Sequence, residues 1–306
     1  MRLTMGTTPR SEWAQRPAYP DDGTSRRLLI VTADDYGLTE ASARGVLRAH
    51  RVGVLSSTSV LALGPAVERT ARWLADVPAL SVGAHLAVVG EDPPLLTRRE
   101  IPTLLTRAGR LPLTWAGFLA RAAAGLVDPD DVGREFEAQL QRLTGHLGLS
   151  LAHVDTHQHL HLWPAVGQVT IELARRWNIP GVRLPSSRSR SPRGQGIRLL
   201  SRALRRRIRS AGLATPDGYA GLDEAGALHL PRFLAAVDAV GISTARTAEI
   251  NCHPGEDGDP DLSRYAWGYR WGAELAALTS RALRDTVARH GFVLGGYRDL
   301  PAVAGA

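Results

Sequence analysis

Histidine and aspartate side chains occupy every second position of one nine-residue segment, His-Val-Asp-Thr-His-Gln-His-Leu-His over 153–161. Alternate side chains of a β-strand share a face, so this spacing predicts that the five lie on one side. They are His153, Asp155, His157, His159 and His161. A face with four imidazoles and a carboxylate is typical of a divalent-metal site rather than of a core.

The members of this segment differ in their expected roles. His157 is the best-placed metal ligand. His159 or His161 is expected to support that ligand without binding the metal itself, or to contact substrate. Asp155 is expected to hold an imidazole in one tautomer, a common role for a carboxylate near a metal. His153 lies nearer the middle of the strand and is expected to be structural.

Further candidates lie at the ends of apolar runs elsewhere in the chain. Asp34 and Asp35 directly follow the first run, and His85 ends a later one. His253 follows a run near the carboxyl end and is itself followed by Pro-Gly. Parallel α/β folds build their sites at the carboxyl ends of their strands, so these four side chains are expected to share a pocket.

Each of these candidates has a chemical and a structural interpretation. One carboxylate of the pair can bind a metal while the other accepts a proton from water. His85 is a candidate second ligand, and His253, on a rigid turn, is a candidate proton donor. Alternatively, the aspartates cap the helix that begins near Thr39, His85 packs in the core, and His253 only forms a turn.

The apolar runs predict strands that alternate with helices. Strands are predicted over 28–31, 54–61, 80–86, 152–155, 181–184, 247–251 and 292–294. Helices are predicted over 39–51, 65–76, 129–146, 163–177 and 274–290. This alternation implies a parallel sheet with right-handed crossovers. Seven or eight such units in one α/β domain over 26–300 favour a (β/α) barrel over an open sheet.

Composition narrows the functional classes. The chain has 306 residues and no apolar run that approaches the roughly 20 residues needed to cross a bilayer. Residues 1–25 contain no apolar segment, so they are expected to be a disordered tail rather than a secretory signal, and the location is expected to be cytoplasmic. The single cysteine, Cys252, excludes an internal disulfide and a multi-thiolate zinc site. All 37 basic residues are arginine, which excludes Schiff-base lysine chemistry.

Two segments have several interpretations. Nine arginines fall within 188–209, inside an excursion predicted at about 186–215. This excursion is either a solvated segment or a contact for an anionic membrane surface, a phosphorylated or nucleotide-linked substrate, or a partner protein. No aromatic residues interleave with the arginines, so nucleic acid is not an expected partner. The aromatic-rich loop over 265–271 suits either sugar contact or ordinary packing.

The ordered motifs resemble those of the YdjC-like carbohydrate deacetylases, which include chitooligosaccharide deacetylases and members associated with hopanoid biosynthesis. The matching pieces are Thr32-Ala33-Asp34-Asp35-Tyr36-Gly37, Val82-Gly83-Ala84-His85-Leu86, the segment over 153–161, and His253-Pro254-Gly255. Their order and spacing fit the family across about residues 27–298. The family usually has Phe in place of Tyr36 and Ser in place of Thr156, and both are mild changes.

The resemblance implies a distorted (β/α) barrel that removes an N-acetyl group from an amino sugar or glycoconjugate. It further implies one divalent ion, usually magnesium, bound by Asp35, His85 and His157. Asp34 would then be the base and His253 the acid. Two histidines and a carboxylate suit zinc at least as well as magnesium, so both metals remain open. Arg183, at the end of the next predicted strand, is expected to orient Asp34 or contact the sugar.

Two other functions remain open. A metal-dependent phosphoesterase on the same barrel usually needs two ions about 3.5–4 Å apart, and hence more carboxylate ligands than these motifs supply. A non-catalytic sugar-binding relative would not need to retain the full set of candidate residues. The sequence does not settle the oligomeric state, for which a homodimer is one expectation.

Overall fold

The computed structural model describes residues 27–301, so the tail predicted over 1–25 lies outside the described residues. The strands are β1 Arg27–Tyr36, β2 Ser57–Leu61, β3 Ser81–Leu86, β4 His153–Thr156, β5 Gly181–Val182, β6 Gly218–Ala220, β7 Thr247–Cys252 and β8 Phe292–Leu294. The α-helices are α1 Glu40–Val52, α2 Val67–Thr70, α3 Trp115–Ala123, α4 Pro129–Gln141, α5 Pro164–Arg176, α6 Pro192–Ser210, α7 Leu230–Gly241, α8 Trp271–Leu278 and α9 Arg281–Arg289.

The strands form one curved parallel sheet. Their order is β5-β4-β3-β2-β1-β7-β6, and β8 pairs with the first residues of β1. At the open edge, an isolated parallel bridge joins Gly181 of β5 to Ala214, shortly before β6. The sheet is therefore a distorted (β/α) barrel in a single domain, and the fold class predicted from the sequence is confirmed.

Alternate residues of the first strand pack on opposite faces of the sheet, one toward the helices and one toward the barrel interior. Leu29 and Val31 belong to the large apolar cluster between sheet and helices. The alternate residues face the barrel interior, where a second apolar cluster fills the amino end. That cluster comprises Leu28, Ile30, Ala152 and Tyr297. Because hydrocarbon fills this end, the polar side chains collect at the carboxyl end.

Helix α1 begins directly after the aspartate pair. The Thr39 hydroxyl accepts a hydrogen bond from the Ser42 amide at 3.1 Å, and the Ser42 hydroxyl accepts one from the Thr39 amide at 3.1 Å. This reciprocal cap confirms the helix start predicted at Thr39. Since the cap uses Thr39 and Ser42, the aspartate side chains are not needed for it.

The predicted face over 153–161 is wrong beyond Asp155. Strand β4 ends at Thr156, opposite Leu86 at the end of β3, and a 3₁₀ segment follows over His157–Leu162. Within that segment, Gln158 and His159 have φ values of 53° and 56°. Positive φ breaks the alternation of a strand, so the turn decides where the later histidines lie.

Several element boundaries also differ from the prediction. The helix expected over 274–290 is divided into α8 and α9, because the Ser280 hydroxyl accepts from the Leu283 amide at 3.2 Å and starts a new helix. The helix expected over 65–76 changes from α2 to a 3₁₀ segment at Ala71–Asp76. Strand β6 and helices α3 and α7 were not predicted from the sequence; β6 has only three residues, too few to show an alternating pattern.

The arginine-rich excursion contains the 19-residue helix α6. Leu204 and Ile208 are buried, whereas Arg202 and Arg206 are exposed. Contact with an anionic surface remains a prediction. Over residues 27–301, no helix combines the length and the apolar character that crossing a membrane requires.

Gly83 offers a test of how tightly the barrel interior is packed. A Cβ at this position would lie 2.2–2.4 Å from ring atoms of His153 on the neighbouring strand. Gly83→Ala is therefore expected to lower the free energy of unfolding by about 1–3 kcal/mol, the usual effect of overpacking. Urea denaturation measures this change.

Gly133→Ala in α4 is the matched control. Its added methyl would meet only Val169 Cγ1, at an ordinary 3.7 Å, so it is expected to raise stability by about 0.4–1 kcal/mol. Equal stability changes for the two variants would contradict the account of the interior.

Candidate metal centre and active site

A β-bulge turns two neighbouring aspartates toward the same pocket. Between Ala33 and Tyr36, strand β1 advances three residues while its partner β2 advances only from Thr58 to Val60. Within this bulge the backbone of Asp35 adopts a positive φ of 59°. Aspartate tolerates this left-handed conformation better than most residues. The first strand thus extends beyond its predicted end at Val31. Both carboxylates are buried at its carboxyl end.

Three potential metal ligands converge beside this bulge. Asp35 Oδ1 lies 3.3 Å from His85 Nε2 and 3.2 Å from His157 Nδ1, and the two nitrogens are 3.3 Å apart. Asp35 Oδ1 is buried and has no hydrogen-bond partner among the described residues. Ligand atoms held about 2.0–2.1 Å from one tetrahedral ion stand roughly 3.3–3.4 Å apart. The three side chains therefore fit a single divalent ion.

Asp155 orients the His85 ring. Its Oδ1 accepts a hydrogen bond from His85 Nδ1, so Nε2 points toward Asp35 and His157. Its Oδ2 accepts from the Ser59 hydroxyl at 2.7 Å and pairs with Arg183 Nη1 at 2.8 Å. Outer hydrogen bonds of this kind fix the tautomer of a metal-binding histidine.

Arg183 is the only charged guanidinium among the fully buried side chains of the described residues. Its two Nη atoms donate to the two oxygens of Asp34 at 2.8 and 2.7 Å, and its Nε donates to Glu249 at 3.0 Å. Burial alone would lower the pKa of Arg183, but the carboxylates of Asp155, Asp34 and Glu249 raise it well above its usual value. The guanidinium therefore stays charged and ties three carboxylates together.

Asp34 is also held from the neighbouring strand β7. Asn251 Nδ2 donates to Asp34 Oδ2 at 3.2 Å, and the Tyr219 hydroxyl donates to Asn251 Oδ1 at 2.6 Å. His253 Nε2 lies 4.0 Å from the same Asp34 oxygen. Asp34 and His253 thus lie beside each other at the carboxyl ends of two neighbouring strands.

His253 is positioned through its backbone and its ring. Its amide donates to Glu274 Oε2 at 2.6 Å, and Glu274 Oε1 accepts from the Leu228 amide. Burial raises the pKa of Glu274. The His253 ring packs 4.6 Å from the ring of Tyr269. These contacts fix the turn before Pro254 and leave the imidazole in the pocket wall.

The other histidines of the segment over 153–161 are separated by the turn. His153 stacks on Tyr297 at 4.1 Å at the inner end of the site. His161 is buried and bonds to the Thr156 hydroxyl and the Arg183 carbonyl, and burial lowers its pKa to about 4. His159 lies in the cavity wall, where burial and Arg183 hold its pKa well below the ordinary value. Both side chains are therefore neutral near pH 7.

These groups open into a cavity of about 540 Å³. Its polar end is lined by Asp34, His85, His157 and His253, and Trp267 and Tyr269 adjoin them. The Trp267 ring is 5.3 Å from that of His157. Cys252, in contrast, is buried, and burial raises its pKa well above the ordinary value, so the thiol is no candidate nucleophile.

Comparison with known proteins identifies the family. The model of the YdjC-like protein family matches residues 28–289. This chain belongs to the YdjC-like family. It is 31% identical over 273 residues to a protein from Geobacillus stearothermophilus named carbohydrate deacetylase, and the aligned region covers 89% of this chain and 98% of that relative. It is also 31% identical over 275 residues to a chitooligosaccharide deacetylase from Enterobacter sp. (strain 638), and the aligned region covers 90% of this chain and 99% of that relative.

A solved structure of similar shape belongs to a protein from Enterococcus faecalis V583 described as a candidate cellobiose-phosphate cleavage protein. The match has a TM-score of 0.74 and 26% identity, and it covers 89% of this chain and 98% of that one. The family model and the two named relatives confirm the family resemblance inferred from the motifs.

Several residues that support the site of this YdjC-like chain were not predicted from the sequence. Glu249 and Asn251 contact Arg183 and Asp34, and Ser59 contacts Asp155. A signal was present: Glu249, Asn251 and His253 alternate with the apolar Ala248, Ile250 and Cys252. Polar residues with a period of two mark the interior face of a barrel strand.

Metal binding by the YdjC-like chain is expected to release a proton. Burial alone would lower the pKa of His85, but Asp155 and Asp35 raise it to about 10. Below that pH the ion-free imidazole is protonated, so an ion that takes Nε2 must displace the proton. At about pH 8 we expect roughly one proton per ion, and an affinity that rises with pH.

Calorimetric titration with Zn²⁺ in buffers of different ionisation enthalpy counts these protons. His146→Gln is the control, since His146 is exposed and pairs with Glu68 far from the cavity. A binding heat that is independent of the buffer would contradict this description of His85.

Proposed function

We propose that this YdjC-like protein is a metal-dependent carbohydrate N-deacetylase, which hydrolyses the N-acetyl group of an amino sugar or glycoconjugate. One observation carries the proposal: Asp34, clamped by Arg183, faces His253 beside three converging metal ligands. Such an arrangement offers a base, an acid and an electrophile around one small volume. The names of the two curated relatives support the same activity.

Asp35, His85 and His157 would hold the ion. Two imidazole nitrogens favour Zn²⁺ or a similar transition metal over Mg²⁺, which prefers oxygen ligands. When bound, a divalent ion supplies Lewis acidity, which polarises a carbonyl group and lowers the pKa of a water molecule.

Asp34 would act as the general base. Its Oδ2 accepts from Arg183 and Asn251, whereas its Oδ1 accepts only from Arg183 among the described residues. A carboxylate oxygen has two lone pairs, so Oδ1 retains one for the proton of the attacking water. The fork of Arg183 fixes the plane of the carboxylate and thus the direction of this lone pair.

His253 would act as the general acid. The side chain lines the cavity with its Nε2 4.0 Å from Asp34 Oδ2, and the Glu274 contact fixes its backbone. An amine leaves far more easily when its nitrogen receives a proton as the C–N bond breaks. His253 lies beside the base and is not among the proposed metal ligands.

The aromatic loop would supply the surface for the sugar ring. Trp267 adjoins His157, and Tyr269 adjoins His253, so both rings border the reacting groups. The C–H face of a pyranose is apolar and packs on an aromatic ring. Sugar contact is therefore the interpretation that we propose for these two members of the loop.

A two-metal phosphoesterase suits the site less well. A second set of potential ligands, Asp34, His85 and Asp155, shares His85 with the first set. Its two carboxylates are already paired with Arg183. We therefore propose one ion per chain, which metal analysis of the purified protein can count.

Replacing the base tests the first role. Asp34→Asn keeps the size of the side chain and removes a proton acceptor, so kcat for acetate release is expected to fall by about 10²–10⁴-fold. Metal content should stay at one ion per chain, because Asp34 is not a proposed ligand. Asp285→Asn, at an exposed residue of α9, is the control. Retention of wild-type kcat in Asp34→Asn would remove Asp34 from the role.

Replacing the acid tests the second role through the leaving group. His253→Gln is expected to lower kcat by about 10²-fold on an N-acetyl sugar, because the amine cannot leave unprotonated. An aryl acetate releases a stable phenolate and needs little protonation, so its hydrolysis should fall much less. Acetate release from both substrates gives the comparison. Equal losses on the two substrates would show that His253 acts in some other way.

A further inference from the structure

The aromatic loop over 265–271 lies across the carboxyl end of the barrel as a row of rings. Its aromatic side chains stand at every second position, and each packs on the next. The ring centroids are 4.9, 5.4 and 5.1 Å apart in the order Tyr265, Trp267, Tyr269, Trp271. Because the rings support one another, the loop presents a continuous aromatic surface to the reacting groups.

One end of the row is attached to the loop after β6. The Arg270 amide donates to the Gly226 carbonyl at 2.8 Å. Gly226 has a φ of 70°, and a Cβ on it would lie 1.9 Å from the Tyr269 ring. The ring of Tyr269 therefore packs directly on this backbone, which keeps it beside the ring of His253 at 4.6 Å.

The other end is attached to the loop after β3 by two carboxylates. The Tyr265 hydroxyl donates to Asp92 Oδ2 at 3.0 Å, and Trp267 Nε1 donates to Glu91 Oε1 at 3.0 Å. Asp92 and Tyr265 are 8% and 5% exposed. A carboxylate shielded from water is stable only with a donor, so the bond between Asp92 and Tyr265 holds the two loops together.

These attachments place Trp267 beside the candidate metal centre. Strands β3 and β6 are separated in the sheet by β2, β1 and β7, so the loop spans the ends of those three strands. The Trp267 ring lies 5.3 Å from the His157 ring and borders the cavity. Glu91 and Asp92 are not among the residues that line this cavity.

We propose that Asp92 and Glu91 are positioning residues for sugar binding. They hold Trp267 over the site before the sugar arrives, so that binding does not have to order the ring. The inference rests on the proposed deacetylase function and adds two side chains that contact neither sugar nor ion. Since Tyr269 is attached separately to the loop after β6, loss of the Asp92 contact leaves His253 in place and weakens binding rather than chemistry.

Replacing Asp92 tests the proposal through KM and kcat. For N,N′-diacetylchitobiose, Asp92→Ala is expected to raise KM about tenfold, the usual contribution of one aromatic contact, and to change kcat less than about threefold. Asp92→Asn should restore a KM near that of the wild type, because its amide oxygen still accepts from Tyr265. An unchanged KM in Asp92→Ala, or equal KM values for the two variants, would overturn the proposal.

Glu91 supplies a second pair of variants, in case Asp92→Ala folds poorly. Glu91→Ala removes the acceptor of Trp267 Nε1 at an exposed position, whereas Glu91→Gln keeps one. We expect KM to rise about threefold in Glu91→Ala and to stay near the wild-type value in Glu91→Gln. The same KM in these two variants would contradict the role of Glu91.

Asp131→Ala is the matched control for loss of a buried carboxylate. Asp131 is 1% exposed and accepts from the Thr103 amide at 2.7 Å, outside the aromatic loop. Both Asp92→Ala and Asp131→Ala are expected to lower the midpoint of urea unfolding, but only Asp92→Ala should raise KM. Equal KM rises would show that Asp92 acts only through overall stability and would reject a positioning role.

A double variant shows whether Asp92 acts through Trp267. With Trp267→Leu there is no aromatic ring to position, so adding Asp92→Ala should change KM less than about twofold. The same KM rise from Asp92→Ala in both backgrounds would contradict the proposal.

Two measurements separate this inference from the proposed function. Amide hydrogen exchange over 265–271, measured without sugar, is expected to quicken about tenfold in Asp92→Ala and not in Asp92→Asn. Equal exchange in the wild type and Asp92→Ala would overturn the proposal whatever the substrate. Weaker calorimetric binding of diacetylchitobiose in Asp92→Ala, without acetate release by the wild type, would retain the positioning role and reject the deacetylase function. Acetate release with the same exchange and KM in the wild type and Asp92→Ala would do the reverse.

Discussion

The excess of buried negative charge at the carboxyl end of the barrel is the constraint on which the site depends. Four carboxylates, those of Asp34, Asp35, Asp155 and Glu249, lie within the interior, and Arg183 is the buried arginine that pairs with three of them. Buried charges are stable only when they are paired, and a lone arginine leaves a formal excess of three. The imidazoles of His85 and His157 offset part of this excess by lowering the pKa of Asp35 well below its usual value, although burial alone would raise it. A divalent ion would offset most of it, which is why the same residues suit metal binding.

The β-bulge gives two adjacent carboxylates, Asp34 and Asp35, different partners in the same pocket. On a regular strand, Asp34 and Asp35 would face opposite sides of the sheet. The extra residue and the positive φ of Asp35 bring both to the pocket, where they meet different partners. Asp34 receives the guanidinium of Arg183 and can act on a proton, while Asp35 receives two imidazoles and can bind an ion. A local change in backbone register thus separates the proposed base from the proposed metal ligand.

Much of this arrangement was predictable because it depends on short-range patterns. The apolar runs before Asp34 and His253 predicted strands, and the rule that parallel strands end at one edge brought Asp35, His85 and His157 together. The bulge was not predictable, since it depends on the register between β1 and β2. The positions of the His159 and His161 side chains depend on a turn with positive φ, which the alternation of a strand could not indicate. The pairing of Arg183 with Glu249 joins the end of β5 to β7; the period of two places Glu249 on the interior face but does not indicate its partner.

The proposed site centres on one divalent ion held between Asp35, His85 and His157. Anomalous diffraction from crystals grown with Zn²⁺, measured above and below the zinc absorption edge, tests it directly. We expect one strong peak per chain within bonding distance of Asp35 Oδ1, His85 Nε2 and His157 Nδ1. A fully occupied peak elsewhere, with these three side chains unliganded, would contradict it.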